Sequence, residues 1–186
     1  MISTNDIRPG MALNLDDGLY AVVEYQHVKP GKGKAFVRMK LKSLDGGAVI
    51  DRTFRAGEQV GLARIDRREY QFLYRDDLGF HLMDQETYEQ IVVGVDLVGD
   101  AANYLVEGMT AQIPQFEGTS IGIDLPASVE LAVSYAEPGV KGDRVSGATK
   151  PVTLQTGLVI QTPLFVEQGD VVKVDTRTGS YITRVS

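Results

Sequence analysis

Residues 19–28 (LYAVVEYQHV) and 35–44 (AFVRMKLKSL) are two runs of β-branched, aromatic and large apolar residues, separated by Lys29-Pro30-Gly31-Lys32-Gly33-Lys34. Runs of that composition read as strands, so the glycine-rich hexapeptide between them reads as a hairpin loop. Pro30 fixes φ near about −65° and Gly31 tolerates φ > 0, the demands of the two central positions of a type II turn. Lys32 then sits at the tip, followed by Gly33. At about 3.3 Å per residue, an arm of this length holds an amine on the order of 30 Å from its own base.

Strand side chains alternate faces, so Ala35, Val37, Met39 and Leu41 form an apolar row while Phe36, Arg38, Lys40 and Lys42 form a basic one. Residues 29–42 hold six basic side chains and no acid, in a chain of net charge −6. Such a stripe is either a solvated sheet face or a finger that carries cations to a polyanion. The charge is unevenly spread: nine basic against seven acidic residues in 1–63, four against twelve in 64–126, and six against six in 127–186. The first third therefore presents the dense cationic patch, and the acidic middle repels nucleic acid or faces a basic protein surface.

With 186 residues, 43% hydrophobic and 24% charged, the chain is sized for one domain or two to three small ones, and its composition is that of a folded globular protein. Cysteine is absent, which excludes disulfides, thiolate metal sites and a cysteine nucleophile. No basic, apolar leader opens the chain and no stretch approaches 18 consecutive apolar residues, so the expectation is a cytoplasmic protein with no membrane segment.

Turn signals divide the rest. Residues 11–15, Asp16-Asp17-Gly18 and the first arm read as strand, turn and strand, and Asp45-Gly46-Gly47 turns the chain into 48–54. The first 60 or so residues thus read as a small antiparallel barrel, with 56–61 as its boundary. A strand over 64–74, a turn at 76–79 and a strand over 80–83 follow. Residues 96–107 (DLVGDAANYLVE) have helical spacing at Leu97, Ala101, Tyr104 and Leu105, with Gly108 as the cap. Residues 110–116 and 119–125 read as a hairpin around Glu117-Gly118, and Pro126 marks a second boundary. The last third reads as strand 128–136, a turn at 137–139, a polar loop 141–151, and strands 153–166 and 171–185, the latter folded at Thr178-Gly179. Barrels with one helix between strands suit OB-folds among other small barrels, and no sequence period marks a repeat.

Candidate chemistry is sparse. Gly118-Thr119-Ser120-Ile121-Gly122 matches the G-x-S-x-G elbow, but both flanks read as strand and no histidine follows Ser120. His27 and His81 have no cluster of ligand-type residues at metal spacing. The loop lacks the G-K-[ST] leading into a helix that a nucleotide-phosphate loop requires. Asp16-Asp17 and Asp76-Asp77 occupy turns, where aspartate bonds the backbone. No catalytic residue, metal or cofactor is assigned. Residues 140–147 form a loop long for a strand connection, with Gly142, Asp143 and Arg144 as binding candidates.

The lysine-tipped loop 29–33, together with the strings 83–90 (MDQETYEQ), 140–143 (VKGD), 150–157 (KPVTLQTG), 163–166 (PLFV) and 174–181 (VDTRTGSY), resembles the bacterial elongation factor P family across essentially the whole chain. The resemblance implies an all-β chain of three small barrels in an L-shaped, tRNA-like arrangement. These are an SH3-like (KOW-like) domain over 1–63, then OB-folds over 64–126 and 127–186. It also implies a non-enzymatic, monomeric translation factor that binds both ribosomal subunits between the P and E sites and relieves stalling on consecutive prolines. By loop position Lys32 inherits the contact with P-site peptidyl-tRNA and is the candidate target of a lysine-modifying enzyme. Lys29, Pro30, Gly31, Gly33 and Lys34 support it, Arg38, Lys40 and Lys42 are expected on the RNA backbone, and Gly142-Asp143-Arg144 is expected near mRNA or the small subunit. Family members usually carry threonine where this chain has Arg144. The residues alone leave a second reading, a stand-alone OB-type oligonucleotide-binding module, which predicts steeply salt-dependent affinity for free RNA.

Overall fold

Apolar side chains at alternate positions give each strand one buried row, and glycine-bearing turns reverse the chain between strands. The computed structural model describes residues 1–139 and 147–186, and these form three sheets of six, five and five strands. The chain divides into two compact units, Met1–Arg67 with Pro114–Gly122 and Arg68–Ile113 with Ile123–Ser186.

The first sheet comprises β1 (Ile2–Ser3), β2 (Ala12–Leu15), β3 (Gly18–Val28), β4 (Phe36–Ser43), β5 (Val49–Arg55) and β6 (Gln59–Ala63). Their order is β1-β6-β2-β3-β4-β5. Leu13, Val37, Met39 and Leu41 are wholly buried and form the core with Ile7, Tyr20, Val22 and Val60. Residues 56–61 contain a turn at Gly57 (φ 81°) and the start of β6, which pairs with both β1 and β2 and completes the first sheet. The β2–β3 turn is clasped to β5: Arg52 donates through both terminal nitrogens to Asp17, at 2.9 and 2.6 Å, and the Tyr20 hydroxyl adds a bond at 3.0 Å. The Arg52 guanidinium, more than any other group, lowers the Asp17 carboxyl to about 2.

The second sheet comprises β7 (Asp66–Asp76), β8 (Gly79–Asp84), β9 (Gln90–Val93), β10 (Thr110–Phe116) and β11 (Thr119–Ser120), in the order β11-β10-β7-β8-β9. The third comprises β12 (Ser128–Ala136), β13 (Thr149–Leu154), β14 (Val159–Pro163), β15 (Val171–Asp175) and β16 (Tyr181–Arg184), in the order β14-β13-β12-β15-β16. Taken from the long first strand outward, the two sheets have the same topology. The second and third strands lie on one side and the fourth and fifth on the other, with a register shift at Phe72/Tyr74 in one and at Val133/Tyr135 in the other. Two copies of one five-stranded pattern are thus present without a sequence period.

The expected helix over 96–107 is not continuous. Helix α1 spans only Val95–Val98, Gly99 breaks it at φ 53°, and a 3-10 turn follows over Gly99–Asn103. The apolar spacing serves two cores instead of one helix face: Leu105 is buried in the second sheet's core and Tyr104 in the third's. The Thr156 hydroxyl donates to the Asn103 carbonyl at 2.7 Å and the Thr176 hydroxyl to the Pro126 carbonyl at 2.6 Å, so side chains of the third segment tie down the backbone of the second. Residues 153–166, expected as one strand, are split between β13 and β14 by a turn whose Gly157 has φ 89°. The short strand β9 had no expectation of its own.

Two of the strings that carry the family resemblance form the same turn. The Asp84 carboxylate accepts the N–H groups of Glu86 and Thr87 at 2.7 and 3.1 Å, and Asp175 accepts those of Arg177 and Thr178 at 2.8 and 3.0 Å. Those backbone donors are the first cause of a lowered pKa at both carboxyls. In each turn the residue four past the aspartate has positive φ, Tyr88 at 61° and Gly179 at 72°. The aspartates therefore close hairpins and carry no chemistry of their own.

A Cβ at Gly61 would collide with the Asn14 carbonyl across the β2–β6 pair, whereas one at Gly31 meets nothing within 4 Å. Gly61→Ala is expected to lower unfolding stability by about 1–3 kcal/mol, with Gly31→Ala near neutral, as measured by denaturant titration. For Asp17 the folded carboxyl titrates at about 2, below the ordinary 3.8, so its contribution is present above the unfolded value and is lost as pH falls through the folded one. In Arg52→Met the Asp17 midpoint, followed by NMR, is expected to move back toward the higher value, and the acid limb of the stability profile to flatten across that window.

Candidate nucleic-acid interface

Strands β3 and β4 pair from Tyr20↔Ser43 to Val28↔Phe36, with a register shift between Val22 and Glu24, and β4 pairs with β5 from Lys42↔Val49 to Phe36↔Arg55. Three strands thus form a platform with residues 29–35 at one end. The expected type II turn at Pro30-Gly31 is absent. Gly33 takes the positive φ, 116°, while Gly31 does not, and a Cβ at Gly33 would lie 3.7 Å from Pro30 Cγ. A glycine is needed one residue past the tip lysine, where the chain turns back over the proline ring. Lys29, Pro30, Gly31, Lys32, Gly33 and Lys34 are all exposed. Among the described residues, no ion pair or side-chain hydrogen bond engages Lys29, Lys32 or Lys34.

The stem behaves differently along its length. Val37, Met39 and Leu41 are wholly buried, as the alternation predicts, which turns Phe36, Arg38, Lys40 and Lys42 outward. Arg38 lies between Gln26 and Thr53, and Lys42 between Ala21 and Val49. Both are exposed. Lys40 lies between Glu24 and Asp51, and its Nζ is 2.7 Å from Glu24 Oε1. The Glu24 hydrogen bond and charge, with a smaller contribution from Asp51, raise the Lys40 pKa. Sequence reasoning saw the cations of β4 but missed the acids facing Lys40 on its two neighbours, because they become neighbours only through the register. It also passed over Arg55, exposed at the end of β5 beside Phe36. The alternation of Asp51, Thr53 and Arg55 within β5 carried that signal.

The remaining candidates fall elsewhere. Ser120 pairs with Gln115 in the β10–β11 hairpin, whose turn residues Glu117 and Gly118 have φ of 50° and 80°, so the G-x-S-x-G match is a type I′ hairpin turn. His27 is exposed on β3 opposite Val37. His81 is buried, stacked on Tyr74 at 4.2 Å with its Nε2 2.8 Å from Asp76 Oδ2, and the histidine bond lowers the Asp76 pKa. Among the described residues no three His, Asp or Glu side chains group as metal ligands, and no helix is long and apolar enough to cross a membrane. Gly142, Asp143 and Arg144 lie outside the described residues.

Three family descriptions match in order along the chain: the Elongation factor P KOW-like domain over residues 3–60, the Elongation factor P OB domain over 65–123, and Elongation factor P, C-terminal, over 129–184. The chain is 56% identical to elongation factor P of Symbiobacterium thermophilum, across 99% of this chain and 100% of that one. It is 54% identical to elongation factor P of Pelotomaculum thermopropionicum, across 100% of both. The solved structure of eukaryotic translation initiation factor 5A from Methanococcus jannaschii, 21% identical, superposes with a TM-score of 0.52 over 64% of this chain and 90% of that one, which shows a common fold.

Proposed function

Because the chain belongs to the elongation factor P family of translation elongation factors, we propose that it binds the ribosome between the P and E sites and positions peptidyl-tRNA through Lys32. In this reading its three domains span 1–63, 64–126 and 127–186, and it works as a cytoplasmic monomer and not as an enzyme. The observation that carries the reading is the loop: three exposed lysines with no partner among the described residues, at the end of a three-stranded platform, in a chain matched to the family along its length. An ammonium on a four-carbon stem is a compact cation that can reach along a nucleic-acid backbone. Lys29 and Lys34 flank it, and the stem cations Arg38 and Lys42 add positive potential that fixes position without reading sequence, while Lys40 between them is paired with Glu24.

Peptide-bond formation with proline is slow, and holding the P-site substrate in reactive geometry lowers the barrier with no acid or base from the factor. Lys32 contributes by binding the acceptor end of the tRNA, and a modifying enzyme that lengthens its side chain extends that reach. Gly142-Asp143-Arg144 is assigned to the mRNA side, near the small subunit.

The test is translation of a proline-run reporter in a reconstituted system lacking the endogenous factor. Lys32→Ala is expected to lose the rescue while keeping the thermal transition of the parent, since the residue is exposed and unpaired. Rescue equal to the parent's would overturn the assigned role of Lys32.

A further inference from the structure

A platform that approaches a polyanion contributes through cations that are exposed and unclaimed by neighbouring acids. We infer that Arg55 is a further nucleic-acid backbone contact of the finger, adjacent to Arg38, and that Lys40 is a positioning residue paired within the stem to Glu24; this rests on the proposed function above.

Arg55 is the last residue of β5 and lies opposite Phe36, the first residue of β4. Its backbone is held from three directions. The N–H donates to Glu58 Oε2 at 3.0 Å, and the carbonyl accepts the Thr4 hydroxyl at 2.8 Å and the Glu58 N–H at 3.2 Å. Thr4 has no exposed surface, so that anchor is internal to the fold. The Glu58 carboxylate is thereby turned onto the backbone, and no ion pair engages the Arg55 guanidinium among the described residues. An exposed cation thus leaves a fixed point at the root of the loop.

Arg38 faces Thr53, two residues before Arg55, so the two arginines occupy diagonal positions on one face. Diagonal neighbours of an antiparallel pair lie about 7–8 Å apart. No acid stands in either cross-strand row, which are Val28–Phe36–Arg55 and Gln26–Arg38–Thr53. Two guanidiniums this close repel one another, and a phosphate backbone, which each can grip with paired N–H donors, relieves that repulsion.

The next row has the opposite balance. Glu24, Lys40 and Asp51 together carry one net negative charge, and Lys40 is bonded to Glu24 across the strands. Drawing Lys40 out to a phosphate would leave two carboxylates facing that phosphate. Lys40 is therefore bonded to Glu24 across β3 and β4, in the row next to Arg38, and its loss weakens binding without removing a phosphate contact.

The slope of log affinity against log salt counts phosphate contacts, at about 0.7–0.9 per contact. The measurement uses the full chain and bacterial ribosomes carrying peptidyl-tRNA in the P site. Arg55→Gln and Arg38→Gln are each expected to flatten the slope by about that amount. Lys40→Met is expected to weaken binding by a similar factor at every salt concentration with the slope kept. Glu24→Gln, which frees Lys40, is expected to steepen the slope, a gain that loss of a structural contact does not produce. An unchanged slope in Arg55→Gln would overturn the Arg55 contact, and a slope flattened in Lys40→Met as in Arg38→Gln would overturn the positioning role. Absence of ribosome binding by the unsubstituted chain would instead overturn the proposed function, and this inference with it.

Discussion

Val37, Met39 and Leu41 have no exposed surface, and the candidate site depends on their remaining inside. Burying a side chain of this size contributes about 1.5–3 kcal/mol. Because strand side chains alternate, a slip of one residue along β4 would exchange this row for Arg38, Lys40 and Lys42. Charges in an apolar core cost far more than the row gains, so the register is fixed from within. Once it is fixed, the outward row, the partners of each cation and the end of the loop before Phe36 follow from covalent geometry.

Register also decides which charges are available. Two residues along β4 separate a lysine between two carboxylates from an arginine between glutamine and threonine, and the two behave differently toward a polyanion. The net charge of −6 is compatible with an RNA-facing role because the twelve acids of residues 64–126 are remote in sequence from the loop, whose own lysines have no acid partner among the described residues. In the second unit a different constraint governs. Adjacent residues Tyr104 and Leu105 enter two different cores, and the Thr156 and Thr176 hydroxyl bonds hold the two sheets' segments together there.

Legibility in the sequence followed the strength of local signals. The long hairpin, the turn at Glu117-Gly118 and strand 128–136 were readable because alternation and turn residues agree with the tertiary outcome. The helix over 96–107 was misread because its apolar spacing answers to two cores, and Gly99 allows the chain to turn between them. The turn at Pro30-Gly31 was misplaced because three of the six loop residues have special backbone preferences, and local propensity alone does not choose between Gly31 and Gly33. Lys32 was legible as an exposed tip. The restraint on Lys40 and the availability of Arg55 were not, since both are properties of strand pairs.

In the proposed function the tip of the loop meets the acceptor end of P-site tRNA. The most direct measurement places a short photo-crosslinking side chain at position 32 and maps the products on ribosomes paused within a proline run. The expected product is a dominant crosslink to the terminal nucleotides of the P-site tRNA, lost when that tRNA is absent. Crosslinks confined to ribosomal protein or distant ribosomal RNA, with the tRNA unmarked, would contradict it.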